Sequence, residues 1–219
     1  TGGLSYPATG STGDGYDLAA AAGHRIVTPG PSLVPLEAES LCAELQGLSL
    51  RNVTLSLYRG DRLLYRELGE MLFTHFGVSG PLVLSASACL QGDCRDCRLS
   101  VDLKPGLSAE KMDERLLRDF GENKNRDFRN ALDALLPQKL IPVIVRLSGI
   151  PGESKVNAVT REQRLRLAAL LKDFPLRLYG LRPVAEAIVP SGAVDVPGVN
   201  PRPMESRPTR APFLAGELL

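Results

Sequence analysis

The chain has 219 residues, with 26 Lys and Arg against 25 Asp and Glu, a net charge of +1, aromatic residues at 5% and no Trp. That balance gives no global field toward nucleic acid or an anionic membrane, and few platforms on which bases could stack. No apolar run reaches the roughly 18 to 20 residues that span a bilayer, the first residues lack the basic and apolar regions of a signal peptide, and four Cys in this length do not make a disulfide scaffold. The expectation is a cytoplasmic globular protein with no membrane partner and no nucleic-acid partner.

In chain order, residues 1–28 are Gly-rich around a short Ala-rich stretch. Residues 16–22 read as a helix stopped by Gly23, with Asp14 and Gly15 at its N-terminal end, where free N–H groups favour an anion. Residues 29–105 read as strands. Residues 41–45 form a short apolar run read as a strand, and residues 53–58 alternate with period two. Arg59-Gly60-Asp61-Arg62 is a hairpin turn and residues 63–68 are the return strand. Residues 69–81 are half strand and half loop, 82–86 are apolar, and 99–103 alternate again. Short strands with turns about every 8–12 residues predict a barrel or sandwich.

Lys104-Pro105-Gly106 breaks this pattern. Ser108 caps a helix, with Lys111 at the third position after it, and Met112, Leu116, Leu117 and Phe120 are read as sharing one face. Phe128, Leu132, Leu135 and Leu136 repeat the pattern up to Pro137, and a further helix carries Leu140, Ile141, Val143, Ile144 and Leu147, with Pro142 in its first turn. Thr160 and Gln163 make a capping box before an apolar series that ends at Pro175. Residues 106–175 therefore read as a small all-helical unit of about four helices. Residues 176–180 return to strand, 187–194 read as a strand with a break, 196–212 are extended and Pro-rich, and 213–215 read as a short buried strand.

Several residues invite chemistry. Cys89, Cys94 and Cys97 have C-x4-C-x2-C spacing, with Cys42 as the one remaining thiol; the Cys94–Cys97 pair falls in a polar loop at a hairpin tip, so incidental thiols are favoured over a metal and no metal site is assigned. His75, in Leu72-Phe73-Thr74-His75-Phe76-Gly77, is a candidate proton donor at neutral pH, against the plainer reading of a His bonded within a tight loop. His24 follows a helix end and is read as structural or surface. Arg161, Arg164, Arg166 and Lys172 are read as one solvated helix face, and residues 123–126 as an interhelical loop. Ser5, Tyr6 and the loop around Ser11, Thr12 and Gly13 either line a ligand entrance or simply connect to the helix.

The segments Thr1-Gly2-Gly3-Leu4-Ser5-Tyr6-Pro7 through Gly15-Tyr16, Gly69 through Pro81, Glu186-Ala187-Ile188-Val189, Asn200-Pro201, Met204-Glu205-Ser206 and Phe213-Leu214-Ala215-Gly216-Glu217 occur in the order seen in one family. The chain resembles the bacterial NAD(P)/FAD-dependent oxidoreductases of the BaiN type, which include aminoacetone-oxidase-like flavoproteins. The resemblance implies an α+β fold: an antiparallel β-barrel-like subdomain with an inserted all-helical subdomain, plus short remnants of an α/β FAD-binding domain. It divides the chain into FAD-domain remnants at 1–28 and 196–219, barrel segments at 29–105 and 176–195, and the helical subdomain at 106–175. It implies that Thr1, Gly2 and Gly3 pass the FAD adenosine, that Glu217 after Gly216 accepts from a ribityl hydroxyl, and that Ser5, Tyr6, Ser11, Thr12 and Gly13 lie near flavin or substrate, with His75 as the catalytic candidate.

The family's G-x-G-x-x-G turn, which holds the FAD pyrophosphate, has no counterpart in this chain, nor has the stretch that follows Gly216-Glu217 in the family. The implied function is therefore the lid or substrate region of an enzyme that transfers hydride between flavin and a small organic substrate, with NAD(P) as a further electron carrier and with this polypeptide inactive alone. Two other classes stand beside it. One is a non-catalytic barrel module that binds protein or nucleic acid, and the other is a Cys-based metal module.

Overall fold

A computed structural model describes residues 3–90, 94–209 and 213–218. In chain order the elements are α1 (Asp14–Ala21), β1 (Gly30–Ser32), β2 (Leu36–Ala38), α2 (Leu41–Glu44), β3 (Ser49–Arg59), β4 (Arg62–Phe73), β5 (Gly77–Ser79), α3 (Pro81–Ser87), β6 (Cys97–Asp102), α4 (Ala109–Glu122), α5 (Phe128–Ala131), α6 (Ile141–Ser148), α7 (Arg161–Lys172), β7 (Phe174–Leu181) and β8 (Val189–Ser191). The architecture is α+β. Six strands close an antiparallel barrel in the order β2-β5-β4-β3-β6-β7, with β7 returning to β2.

The period-two pattern of β3 explains its place. Val53, Leu55 and Leu57 point inward and are buried, and they meet Leu99 and Val101 of β6 and Leu176 and Leu178 of β7 in the barrel interior. The β3–β4 hairpin turns where the sequence predicts, with Arg59 opposite Arg62 and Gly60 at φ 55°. Closure leaves no free edge on the barrel sheet.

Two segments expected as strands are helices. Residues 41–44 form α2, in which Leu41 and Cys42 are buried in the main core together with the following Leu45; the turn brings residues 41, 42 and 45 to one side, which a strand's alternation would not. Residues 81–87 form α3. Gly80 takes φ 94° and ψ 171°, Pro81 occupies the first turn, and Leu82, Val83, Ala86 and Ser87 are buried. That spacing is helical, and Pro81 has no N–H to lose there. The Ser87 hydroxyl accepts from the Val34 N–H at 2.9 Å and donates to the Leu84 carbonyl at 2.7 Å, tying α3 to the chain ahead of β2.

The four predicted helices of 106–175 are α4 to α7. The Ser108 hydroxyl accepts from the Lys111 N–H, Thr160 and Gln163 form the reciprocal capping box, and Pro142 sits in the first turn of α6. Met112, Leu116 and Phe120 share one apolar core with the barrel. Leu117 does not join them and is 54% exposed: burial at i, i+4 and i+8 selects a stripe, and a neighbour one residue on is turned about 100° away. The basic face of α7 also differs from the expectation of a solvated one. Arg164 makes a two-pronged bond to Asp113 of α4 at 2.6 and 3.2 Å. Lys172 pairs with Asp102 of β6 at 2.6 Å and donates to the carbonyls of Lys104 and Leu107. Arg161 and Arg166 remain exposed.

The flanking segments pack on each other. Beside the barrel, β1 pairs with β8, and single bridges join Ile26 to Val194, Val199 to Ser206 and Glu205 to Phe213. Two small cores result, one of Ala19, Val194, Val199 and Leu214, the other of Tyr16, Ala193 and Leu218. The short buried strand expected at 213–215 is reduced to that one bridge: Leu214 is buried but Phe213 is 66% exposed, because only one side of this segment meets the flank core. Among the described residues no helix is long and apolar enough to cross a membrane.

Candidate functional site

Residues from the two ends of the chain meet. The Gly3 N–H donates to the Glu217 carboxylate at 3.3 Å, and the Tyr16 hydroxyl donates to the Glu217 carbonyl at 3.0 Å. Burial, and next the nearby Glu217 charge, push the Tyr16 phenol above its usual value. A Cβ on Gly3 would lie 2.7 Å from Glu217 Oε2 and 3.0 Å from both the Tyr16 hydroxyl and Pro190. The packing of the two ends therefore disfavours a side chain at this position. Gly216, at φ 80°, turns the backbone so that Glu217 reaches back to Gly3. Thr1 and Gly2 lie outside the described residues.

Ser5 is buried and its hydroxyl has no hydrogen-bond partner, an uncommon state for a buried donor. Tyr6 follows in the left-handed region at φ 49°, its ring half exposed and its N–H bonded to the Ala185 carbonyl at 3.3 Å. Gly13, at φ 84°, precedes the first residue of α1 and packs under Leu4. Ser11 is half-buried and Thr12 exposed at this helix end. Asp14 and Asp17 already place carboxylates in the first turn of α1, so its positive end has acidic company from the chain itself.

A chain of contacts connects this corner to His75. Ala185 and Glu186 lie in a 3-10 turn, Val184–Glu186. The Arg182 guanidinium grips Glu186 at 2.6 and 3.0 Å and Glu37 of β2 at 2.9 Å. Its hydrogen bond holds the Glu186 carboxyl below the usual carboxylate range. The same guanidinium lies 4.6 Å over the Phe76 ring, which makes a T-shaped contact with the His75 ring, centroids 4.9 Å apart. His75 itself is exposed, on the turn between β4 and β5. Next to it the Thr74 N–H bonds the Gly77 carbonyl at 2.8 Å, while the Thr74 hydroxyl is buried without a partner. No hydrogen bond or ring contact among the described residues joins His75 directly to Gly3 or Glu217. Arg182 and Glu37 escaped sequence reasoning. The 182/186 spacing hints at a helical-turn ion pair, but Glu37 is distant in sequence.

The remaining candidates are structural. His24 is buried, with Nε2 2.8 Å from the Ser206 hydroxyl, and pins the 196–209 arm beside α1. Cys94 and Cys97, expected in a polar loop, are buried and belong to the barrel core, Cys97 as the first residue of β6; the inward side of a strand start is apolar whatever the polarity of the neighbouring residues. All four Cys are free thiols. Among the described residues no group of three or more His, Cys, Asp or Glu could hold a metal ion.

The corner thus holds one carboxylate, Glu217, engaged by the Gly3 N–H, while the Ser5 hydroxyl is buried without a partner. Comparison with known proteins gives this corner its setting. Residues 30–189 match the family model described as the HI0933-like protein barrel and H2TH domain. Over its whole length the chain is 30% identical to the ribosomal RNA dihydrouridine synthase of Escherichia coli (strain K12), covering 53% of that protein, and 29% identical to the protein of the same name from Haemophilus influenzae, covering 52%. It is 27% identical to the 3-dehydro-bile acid delta(4,6)-reductase of Clostridium scindens, covering 54%. The chain spans about half the length of the curated relatives it matches. With the barrel closed, the helices in their predicted order and the model matched across both, the chain belongs to the HI0933-like family.

Proposed function

We infer that the chain is the barrel, helical and flanking region of an FAD-dependent oxidoreductase. Residues 1–28 and 196–219 would belong to the FAD-binding domain, 29–105 and 176–195 to the barrel, and 106–175 to the helical subdomain. The observation that carries this reading is the bond from the Gly3 N–H to the Glu217 carboxylate, which brings two segments 214 residues apart into one corner. When bound, the flavin supplies hydride transfer. Glu217 would accept from a ribityl hydroxyl through the oxygen that Gly3 leaves free, and Ser5 would donate its unpartnered hydroxyl. Tyr6, Ser11, Thr12 and Gly13 would border the entrance. His75, in ring contact with Phe76 on the strand turn, would deliver a proton to substrate.

The flank surface supports a larger partner layer. Tyr6, Leu18, Val27, Ile188, Val196, Met204 and Phe213 are large apolar residues left exposed there, which fits a surface covered by the rest of an FAD domain. The relatives' names speak of a dihydro product and of a reductase, and we take reduction of an unsaturated organic ring as the shared chemistry. NAD(P)H is the proposed electron source and the cytoplasm the proposed location. On this reading the 219-residue chain alone is inactive.

The test compares this chain with the complete product of its gene. The longer protein should purify with the visible flavin absorbance band and the chain without it, and Glu217→Ala should lower the flavin content of the longer protein. Stoichiometric flavin on the chain alone, or full retention in Glu217→Ala, would remove the reading.

A further inference from the structure

Outside that corner, a surface hollow of about 700 Å³ lies where the barrel meets the helical unit. Three cations line it: Arg51 of β3, Lys104 of the turn between β6 and α4, and Arg115 of α4. No carboxylate is among the lining residues. Asn52 and Thr54 of β3 add an amide and a hydroxyl, and Leu68, Leu103 and Leu107 supply an apolar wall.

The backbone fixes this arrangement. β3 pairs Leu50 with Met71 and next Val53 with Gly69, so Arg51 and Asn52 together oppose Glu70 in a bulge. Asn52 takes φ 54° there, and a bulge of this kind re-aims side chains. In the turn, the Lys104 N–H donates to the Asp102 carboxylate at 2.9 Å and the Leu107 N–H to the Lys104 carbonyl at 3.0 Å. Lys172 pins the same turn by donating to the carbonyls of Lys104 and Leu107.

The three charges are only partly answered. Arg115 bonds Asp119 through Nε, at 2.7 and 2.9 Å, and among the described residues its two terminal nitrogens have no hydrogen-bond partner. Arg51 lies 3.8 Å from Glu70, and both side chains are exposed, a weak pairing. Asp102 is taken by Lys172. Among the described residues no hydrogen bond or ion pair engages the half-buried Lys104 ammonium. Burial, and next the Arg115 charge, push the Lys104 amine below its usual value. A half-buried cation beside a second cation favours an incoming anion.

We propose that this hollow binds a small phosphate monoester, its phosphate on Lys104, Arg115 and Arg51 and its carbon skeleton on the wall of Leu68, Leu103 and Leu107. Such a group carries about −1.5 to −2 charges near neutral pH and three acceptor oxygens. It therefore suits three cations better than a carboxylate, with one charge and two oxygens. A guanidinium with free terminal nitrogens forks onto phosphate, and a lysine adds a point charge. Leu68 is 60% exposed, and a bound carbon skeleton would cover it. The proposal goes beyond the flavin reading and does not rest on it.

The probe is phenyl phosphate, titrated by calorimetry into the chain slightly above neutral pH at fixed ionic strength. Wild type should bind it. Phenyl sulfate, of the same shape with one charge, should bind about fivefold or more weaker. Inorganic phosphate should bind about tenfold weaker, because it leaves the apolar wall uncovered. Lys104→Gln should raise Kd for phenyl phosphate by about tenfold or more. Leu68→Ser should weaken phenyl phosphate but not inorganic phosphate, and Arg161→Gln, on α7 outside the hollow, should change neither. Circular dichroism checks the fold of each variant. In the unmodified chain phenyl phosphate should protect Lys104 from an amine-acetylating reagent, read by mass spectrometry. Absence of binding, equal affinity for phenyl sulfate, full retention in Lys104→Gln, no protection of Lys104, or equal competition by a hydroxyl-ended phosphodiester oligonucleotide at the same phosphate concentration would overturn the proposal. None of these readouts involves flavin, so the two readings stand or fall separately.

Discussion

The Gly3 N–H lies 3.3 Å from the Glu217 carboxylate, closing a loop of 214 residues. The barrel and its helical unit lie between these residues, together with the small flank cores around α1 and the β1–β8 pair. The stability of these flank cores can be changed separately from that of the barrel core. Gly3→Ala forces a Cβ to within 2.7 Å of Glu217 and 3.0 Å of Tyr16 and Pro190. The carboxylate can move but the proline cannot, so the flanks should lose about 1–2 kcal/mol. Hydrogen exchange should show faster opening of α1 and residues 193–199 with the barrel amides unchanged.

The barrel has its own sensitive glycine. A Cβ on Gly77 would lie 2.2 Å from the Leu36 carbonyl oxygen and 2.6 Å from the Ala38 nitrogen, both backbone atoms, at a φ of 156°. No side-chain rotation relieves that contact. Gly77→Ala should separate β5 from β2 and cost about 3 kcal/mol, read as a lower urea midpoint. Gly60→Ala, with nothing within 4 Å of its Cβ, should cost less than half as much.

The α4–α7 contact depends on Arg164 and Asp113, whose side chains are 13% and 24% exposed. Asp113→Ala strands a largely buried guanidinium and should destabilise by about 2 kcal/mol. Adding Arg164→Met to it should recover part of the loss, because an apolar replacement leaves no unpaired charge. A double-mutant cycle by denaturant titration gives the coupling, and simple additivity would show that the pair contributes nothing.

Acid should loosen the 182–186 turn. The hydrogen bond from Arg182 lowers the Glu186 carboxyl below its ordinary 4.5. A folded value below the unfolded one means that the stabilisation is fully present above about pH 4.5 and is lost as the pH falls through the lower folded value. In a carboxyl NMR titration Glu186 should titrate below the usual glutamate range, and Arg182→Gln should return it to that range. An unchanged Glu186 titration in the variant would mean the ion pair is not formed in solution.

The thiols should divide sharply. Burial, with the Glu39 charge as the lesser cause, pushes the Cys42 thiol up to about 12, and Cys94 and Cys97 are buried in the barrel core, while Cys89 is exposed. Since only thiolate reacts, a disulfide-exchange reagent at neutral pH should modify Cys89 quickly and Cys42 only after unfolding.

What the sequence determined by itself is what local physics determines. The alternation of residues 53–58, the Arg59–Arg62 turn, the Ser108 and Thr160 caps and the stop at Gly23 depend on neighbours a few residues away, and each is where the pattern places it. Only the tertiary structure decided the rest. Residues 41–44 and 81–87 are helices because of what they cover, a choice that short apolar runs do not encode. Arg164 and Lys172 left a face that reads as solvated for carboxylates on α4 and β6, and Arg182 reached Glu37, 145 residues away. The opposed Arg98 and Arg177 follow from a register that no single strand specifies. Long-range pairing depends on closure of the whole barrel, so its charges and its corner exist only once the chain has folded.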